Sequence, residues 1–531
     1  MSAATRGWCS DSTNATDPLL DLFIKKGFVT QQEAEQVEAE AAALRTNESQ
    51  IPSAPPSQWK ISQGIKSVEL FGDIRLRYED RYAKDPSGNG IDLQRFRYSV
   101  RVGLRGDLFD NFYYGFRLDT GVNPRSSFVT AGTSASGGPY QGPFGKSNAG
   151  INIGQVYLGW RPWNWLDLTV GKMPNPLYTT PMVWSGNINP EGFAERLKYA
   201  VGPMDLFATF GQFLYADLNP DSASTGLGIP GGGAGTGQKT DNIFMFAWQG
   251  GFDYHITTNV SAKIAATLYN YMGLQPSPAN GPSAESPYFG DPYVGEGAYY
   301  YEGGTGQSVY APGYSGYSPG TTYNLPSGGY GSLSFPFNQV GLNHLLVLEV
   351  PFEFNLTINR LDTRVFGDFA YNLQGAQRAQ DAANAYSYII SQYLPSNGGI
   401  AQAHSFPAQT SDVKAYQIGL DIGSHGSLGM VNGAASQRHA WEIKTYWQHI
   451  EQYSLDPNLL DTDFFEGVEN LQGIYTAAAY GLTDNLIVTF RYGHAWRIND
   501  LLGTGGSGQD IPQINPINDF DIYQVDLTLR F

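Results

Sequence analysis

From residue 67 to residue 531 the chain repeats one pattern, a segment of about ten residues in which apolar and polar side chains alternate. In VELFGDIRLRYEDR (68–81), Val68, Leu70, Ile74, Leu76 and Tyr78 fall on one side, and Asp73, Arg75, Arg77, Glu79 and Arg81 on the other. In YQIGLDIG (416–423), Tyr416, Ile418, Leu420 and Ile422 oppose Gln417, Gly419 and Asp421. DIYQVDLTLRF (521–531) sets Tyr523, Val525, Leu527, Leu529 and Phe531 against Gln524, Asp526, Thr528 and Arg530. A period of two is the signature of a strand with one apolar and one polar face. No run of about 18 apolar residues occurs, so an ordinary membrane-spanning helix is excluded. Hydrophobicity of this kind suits a barrel in lipid, where only alternate residues meet hydrocarbon and mean hydropathy stays slightly negative.

The connections between these segments alternate as well. Tight ones are expected at Gly106 to Asn111, Arg161 to Asn164, Gly202 with Pro203, His255 to Asn259, Asn355 to Arg360 and Leu482 to Asn485, with a longer one at Gly423 to Arg438. Between them lie longer, polar stretches at 83–92, 122–150, 174–194, 216–241, 272–338, 374–411, 454–470 and 497–517. Short connections on one side and long ones on the other predict an all-β, antiparallel up-and-down barrel of about sixteen strands, with both termini on the short-turn side. Closure would pair the last strand with the first and leave no edge to protect. A secreted β-sandwich also alternates, but it buries its apolar face against a second sheet and its connections show no consistent long side. Aromatics separate the two. Trp160, Trp163 and Trp165 surround one tight turn and Phe109, Phe112 and Tyr114 another, as expected of a girdle at a membrane surface.

Residues 1–58 read differently and are expected to form a periplasmic helical segment ahead of a barrel at 59–531. DPLLDLFIKKGFV (17–29) is an apolar helical stretch; Thr30 with Glu33 makes a capping box that opens a second helix, QQEAEQVEAEAAALR. Ala34, Val37, Ala41 and Leu44 form a short stripe, suited to packing on the same chain or to oligomerisation. IPSAPPSQ (51–58) is a linker. A net charge of −17 argues against a nucleic-acid partner. The lone Cys9 leaves no intramolecular disulfide or multi-cysteine metal site, and MSAATRGW before it offers no apolar signal for lipid anchoring. An exported chain needs a secretion signal, so the sequence is expected to be a mature or trimmed form.

Several stretches carry more than architecture: RFRYSVRVGLRGDLFDNFYYGFRLDTG (95–121), YLGWRPWNWLDLTVGKMPNP (157–176), VWSGNINPEGFA (183–194), VFGDFAYNL (365–373) and DTDFFEGVENLQGIYTAAAYGLTDNLIVTFRYG (461–493). Together they resemble the putative-porin family of bacterial outer membranes, over most of residues 65–531. Loop 272–338, rich in Tyr, Gly, Ser and Pro, has no counterpart in that resemblance. The resemblance implies a water-filled, cofactor-free diffusion channel whose partners are outer-membrane lipid and small hydrophilic solutes. The terminal Phe531 resembles the assembly signal of Gram-negative barrels, which implies recognition by the barrel-assembly machinery. Monomer and homotrimer both stay open.

Sixteen strands leave an aqueous lumen, so function is expected in what lines it. Opposite the apolar face, the second strand carries Arg95, Arg97, Arg101 and Arg105, with Arg75 and Arg77 before it and Arg117 after. Asp73, Glu79 and Asp119 sit among these arginines, while later strands add Glu349, Asp368, Asp421, Glu442 and Lys444. Opposed rows of charge in a narrow passage create a transverse field that orients dipolar solutes. The arginines fit two roles, a mild preference for anions, which they can hold bidentately, or bracing of the wall through cross-strand carboxylates. Loop 174–194, third on the long side and stiffened by Pro174, Pro176, Pro181 and Pro190, is a candidate to fold inward as a constriction. Loop 272–338 is its rival, as an inward plug or an external shield, or else it is a mobile surface segment.

Catalysis finds no support. His255, His344, His404, His425, His439, His449 and His494 show no HxxxH metal spacing, and GTGGSG (503–508) lies in a polar loop rather than between a strand and a helix. The expected function is a passive outer-membrane porin. Two alternatives remain: a barrel-anchored surface binding or adhesion protein whose outer loops do the work, and a secreted carbohydrate-binding β-sandwich, which would be soluble without detergent.

Overall fold

The alternation becomes a single sheet that closes on itself. The computed structural model describes residues 26, 64–86, 88, 90–121, 123–132, 150–216, 243–272, 299–301, 308–310, 344–383, 408–434, 437–504 and 517–531. The helical segment expected within 1–58 and nearly all of loop 272–338 lie outside the described residues. Residues Gly64–Phe531 form one compact unit.

Sixteen long strands follow one another: β1 (Glu69–Lys84), β2 (Gly90–Asp107), β3 (Phe112–Thr120), β4 (Ile151–Trp163), β5 (Leu166–Lys172), β6 (Glu191–Val201), β7 (Met204–Ala216) and β8 (Ile243–Thr257). The second half comprises β9 (Val260–Met272), β10 (Leu346–Ile358), β11 (Leu361–Asn372), β12 (Lys414–Ser424), β13 (Trp441–Ile450), β14 (Leu471–Gly481), β15 (Leu486–Arg497) and β16 (Asp519–Arg530). Each pairs antiparallel with its neighbours in sequence, and β16 returns to β1 in a register running from Asp73 opposite Arg530 to Lys84 opposite Asp519. Closure leaves every long strand with a hydrogen-bonded neighbour on both sides, the condition for crossing lipid without a helix.

Register fixes which side chains face out. Leu70 is 59% exposed, Leu76 52% and Phe96 66%, whereas Asp73, Arg77, Glu79, Asp526 and Thr528 between or beside them are buried inside. An apolar face left uncovered all round a barrel is stable only against hydrocarbon, because water would penalise each exposed side chain by about 25 cal/mol per Å². At the short-turn rim Trp163 and Trp165 stack with ring centres 5.1 Å apart, and Phe112 stacks on Trp160 at 5.5 Å, all around the connections where the aromatic girdle was expected.

On one rim the strands are joined by short turns at 108–111, 164–165, 202–203, 258–259, 359–360 and 482–485, and by one longer segment at 425–440, hereafter the inner turn. The other rim carries eight loops, of which L2 (121–150), L3 (173–190) and L7 (451–470) matter most. The first of the eight, expected at 83–92, is shorter than its siblings and covers only 85–89. Pairing of β1 with β2 persists from Glu69 and Arg105 up to Lys84 and Gly90, so the two strands outrun the sequence pattern.

The lumen is filled rather than empty. Met182, Val183 and Trp184 of L3 are buried together with Leu455, Leu459, Leu460, Phe464 and Phe465 of L7 and inward residues such as Phe213 and Tyr269. Residues 375–383, following β11, are helical, and Ala379 and Ala382 pack with Val413, Tyr453 and Leu502.

Candidate functional site

The interior wall of β16, β1 and β2 is a lattice of charge whose spacing comes directly from the register. Arg77 stands opposite Asp526 on one neighbour and Arg97 on the other; Glu79 stands opposite Gln524 and Arg95; Asp73 stands opposite Arg101. Asp73 accepts from Arg101 Nη2 at 2.6 Å and from Arg75 Nε at 2.8 Å. Glu79, fully buried, gathers Arg95, Arg81 (3.3 Å) and Arg97 (3.3 Å). Asp526 takes both Arg77 and Arg491. On β3, Arg117 is held two-handed by Asp119 at 2.7 Å for each bond. Bidentate guanidinium–carboxylate geometry of this sort keeps planar groups rigid. Bracing is therefore one thing these arginines do.

Two outer loops descend onto this lattice. L7 brings Asp463, which accepts from Arg77 Nη1 at 2.7 Å and Gln524 Nε2 at 3.2 Å, and Glu466, which pairs with Arg81. L3 crosses toward the opposite wall: the Tyr178 backbone exchanges hydrogen bonds with the Gln249 amide at 2.9 and 2.8 Å, and Thr179 and Thr180 donate to Glu349 and Asp368. The loops also grip each other, through Ser185 N–H to Leu459 O at 2.6 Å and Asp461 N–H to Pro181 O at 3.2 Å. L2 joins them where Arg125 donates to Pro457 O at 2.6 Å and Asn187 donates to Arg125 O at 2.9 Å. Loop 174–194 thus folds inward, and L7 shares the task.

Between the lattice and the loops remains a cavity of about 240 Å³. Arg75, Arg77, Arg101, Arg125, Arg491 and Lys444 line it, against Asp461, Asp463 and Asp526. Phe128 forms part of its floor beneath Arg77, whose guanidinium lies 4.1 Å from the ring centre, a cation–π contact. A second chamber of about 440 Å³ lies against Arg105, Arg161, Arg196, Tyr113 and the start of L3.

Burial raises the carboxyls of both L7 aspartates. For Asp461 the charge of Asp463 adds to that effect and pushes it up to about 6. For Asp463 the guanidiniums of Arg77 and Arg81 outweigh burial and hold it far below the usual carboxylate range.

The residues expected inside divide into three groups. Arg75, Arg77, Arg101 and Lys444 reach the central cavity, and Arg105 reaches the second chamber. Arg95, Arg97, Arg117, Asp73 and Asp119 stand behind them as ion-pair partners in the wall. Asp368 lies beneath L3, and Glu442 beneath the inner turn, where it accepts the Gly429 and Val431 N–H groups. Alternation could not reveal the L7 carboxylates, Arg125 or Arg491's place at the seam. One signal was present: Leu455, Leu459, Leu460, Phe464, Phe465 and Val468 crowd a segment that, if solvated, would have no use for them.

The model of the family described as Putative porin matches residues 84–531. Among solved structures, OpdQ of Pseudomonas aeruginosa is 10% identical, with 88% of this chain and 99% of that one covered and a TM-score of 0.37. A triple mutant of Rhodopseudomonas blastica porin is 9% identical, with 88% of this chain and 100% of that one covered and a TM-score of 0.34. No curated protein matches the chain. With its family matched over most of its length and its strands closed around a charged lumen, this chain belongs to the Putative porin family and is a channel of the bacterial outer membrane, facing lipid outside and passing solutes within.

Proposed function

We propose that the channel conducts small hydrophilic solutes passively and favours anions among them. The observation that carries this reading is the central cavity, with six cationic side chains against three carboxylates. Confined charge of one sign raises the local concentration of the opposite sign. A cavity this small leaves little bulk water to screen it, since each water occupies about 30 Å³. The acidity of the whole chain does not oppose the preference, because selectivity depends on charge along the path. We further assign pore-lining roles to Arg75, Arg77, Arg101 and Lys444.

Liposomes containing the purified protein should release a small carboxylate solute faster than an ammonium solute of equal size. Faster ammonium release would reject the anion preference. No release of either would favour the alternative in which the barrel is an anchor and its outer loops bind a partner.

Two partner proposals stand beside this one. Phe531, half exposed at the outer face, is available to the barrel-assembly machinery. A homotrimer would find support in an outward groove of about 770 Å³ lined by Ile153, Val156, Val170, Phe193, Leu214 and Phe244, and the mass in detergent tests it. Residues 1–58 remain proposed, on sequence grounds, as a periplasmic helical segment.

A further inference from the structure

We propose that the inner turn is a second constriction of the channel, entering the lumen from the short-turn rim and limiting solute size from that end. The inference rests on the porin reading. Every other connection on that rim is a tight reversal, whereas 425–440 is long enough to do more than reverse the chain.

Its base is anchored where Ser427 Oγ contacts Ser424 O at 2.6 Å and Trp441 O at 2.7 Å. A single 3₁₀ turn, Met430–Asn432, is bounded by Gly429 at φ 102° and Gly433 at φ 86°, left-handed positions that glycine adopts without a Cβ penalty. The Glu442 carboxylate accepts the N–H groups of Gly429 at 2.9 Å and Val431 at 2.7 Å, and Arg491 Nη2 donates to Val431 O at 2.9 Å. Met430 and Val431 are almost fully buried.

The turn borders the lumen from the short-turn rim. Arg491, the sixth residue of β15, which starts there, reaches it through its side chain. A Cβ on Gly433 would stand 3.7 Å from Arg75 Nη2, on the far side of the seam. Met430, Val431, Asn432 and Gly433 all line the central cavity. L3 and L7 therefore confine that cavity from one end and the inner turn from the other. A turn that served only to satisfy Glu442 would need its two N–H donors there; this one also places Asn432 and Gly433 against the solute path.

The test uses the full chain in a Cys9→Ser background. A charged methanethiosulfonate reagent applied to Asn432→Cys should cut single-channel current by about half or more, as expected where a pore is narrow. The same reagent on Asn485→Cys, in an ordinary short turn, should leave it unchanged. Deleting residues 428–433 should raise conductance about twofold or more. Failure of the reagent to modify Asn432→Cys, or modification confirmed by mass without loss of current, would overturn the inference whether or not the deletion variant folds. A wild-type protein that passes no current would overturn the porin reading beneath it, a distinguishable result.

Discussion

Arg77 on the first strand and Asp526 on the last meet across the barrel seam through two hydrogen bonds, Nε to Oδ1 at 2.7 Å and Nη2 to Oδ2 at 2.9 Å. Both side chains are buried. The pair that closes the sheet also occupies the wall of the central cavity, so assembly and permeation draw on the same charges.

Removing one partner of a buried ion pair strands the other. Asp526→Ala leaves Arg77 with Asp463 and deprives Arg491 of its carboxylate, which should destabilise the barrel by about 3–5 kcal/mol. The temperature at which the folded band disappears on detergent gels should fall, and less so for Asp526→Asn, which keeps acceptor oxygen.

A second seam contact involves no charge. Gly72 and Phe531 exchange backbone hydrogen bonds of 2.9 and 3.1 Å, and the Phe531 ring covers the glycine so closely that a Cβ there would stand 2.8 Å from it. Gly72→Val should push the ring aside and strain the Arg101 carbonyl, 2.3 Å from that Cβ. The yield of folded barrel is expected to drop more for Gly72→Val than for Phe531→Leu, measured by refolding into detergent micelles.

Gln249 holds L3 by pairing both the N–H and the carbonyl of Tyr178, and it also donates to Thr267 at 2.7 Å. Gln249→Leu leaves those groups unpaired, a penalty of about 1–3 kcal/mol. Looser docking of L3 should appear as larger and noisier single-channel current; unchanged traces would mean that the loop is held elsewhere.

Asp461 gives the lumen a pH dependence. Burial and the charge of Asp463 push its carboxyl up from the ordinary 3.8 to about 6, so between those values the folded protein binds more protons than the unfolded chain. Stability contributed by this group therefore declines as pH rises through that window and is regained as pH falls. Protonation also removes a negative charge from the cavity. Anion preference should strengthen between pH of about 7.5 and about 5, and Asp461→Asn should remove that part of the change.

The barrel was legible because alternation is a local consequence of the pleat. Leu70, Ile74 and Leu76 were set outward and Arg75, Arg77 and Glu79 inward by position alone, and a register slip of one residue would have reversed them all. Ion-pair partners on adjacent strands were partly legible, since Asp73 and Arg101 lie on neighbouring strands and share a face. What alternation cannot encode is where a connection goes. Prolines marked L3 as stiff and suggested its inward course, but nothing in the polar stretch 454–470 set Asp461 and Asp463 apart. The length of the 423–438 segment stood out on the short side, yet its direction depends on Glu442 and Arg491, which meet it only in the folded barrel.

The zero-current potential of purified protein in a planar bilayer, across a steep potassium chloride gradient at neutral pH, tests the central claim most directly. A net excess of cationic side chains around the cavity predicts a potential with the sign of chloride selectivity. A potential of the opposite sign, showing that potassium passes more readily, would contradict it.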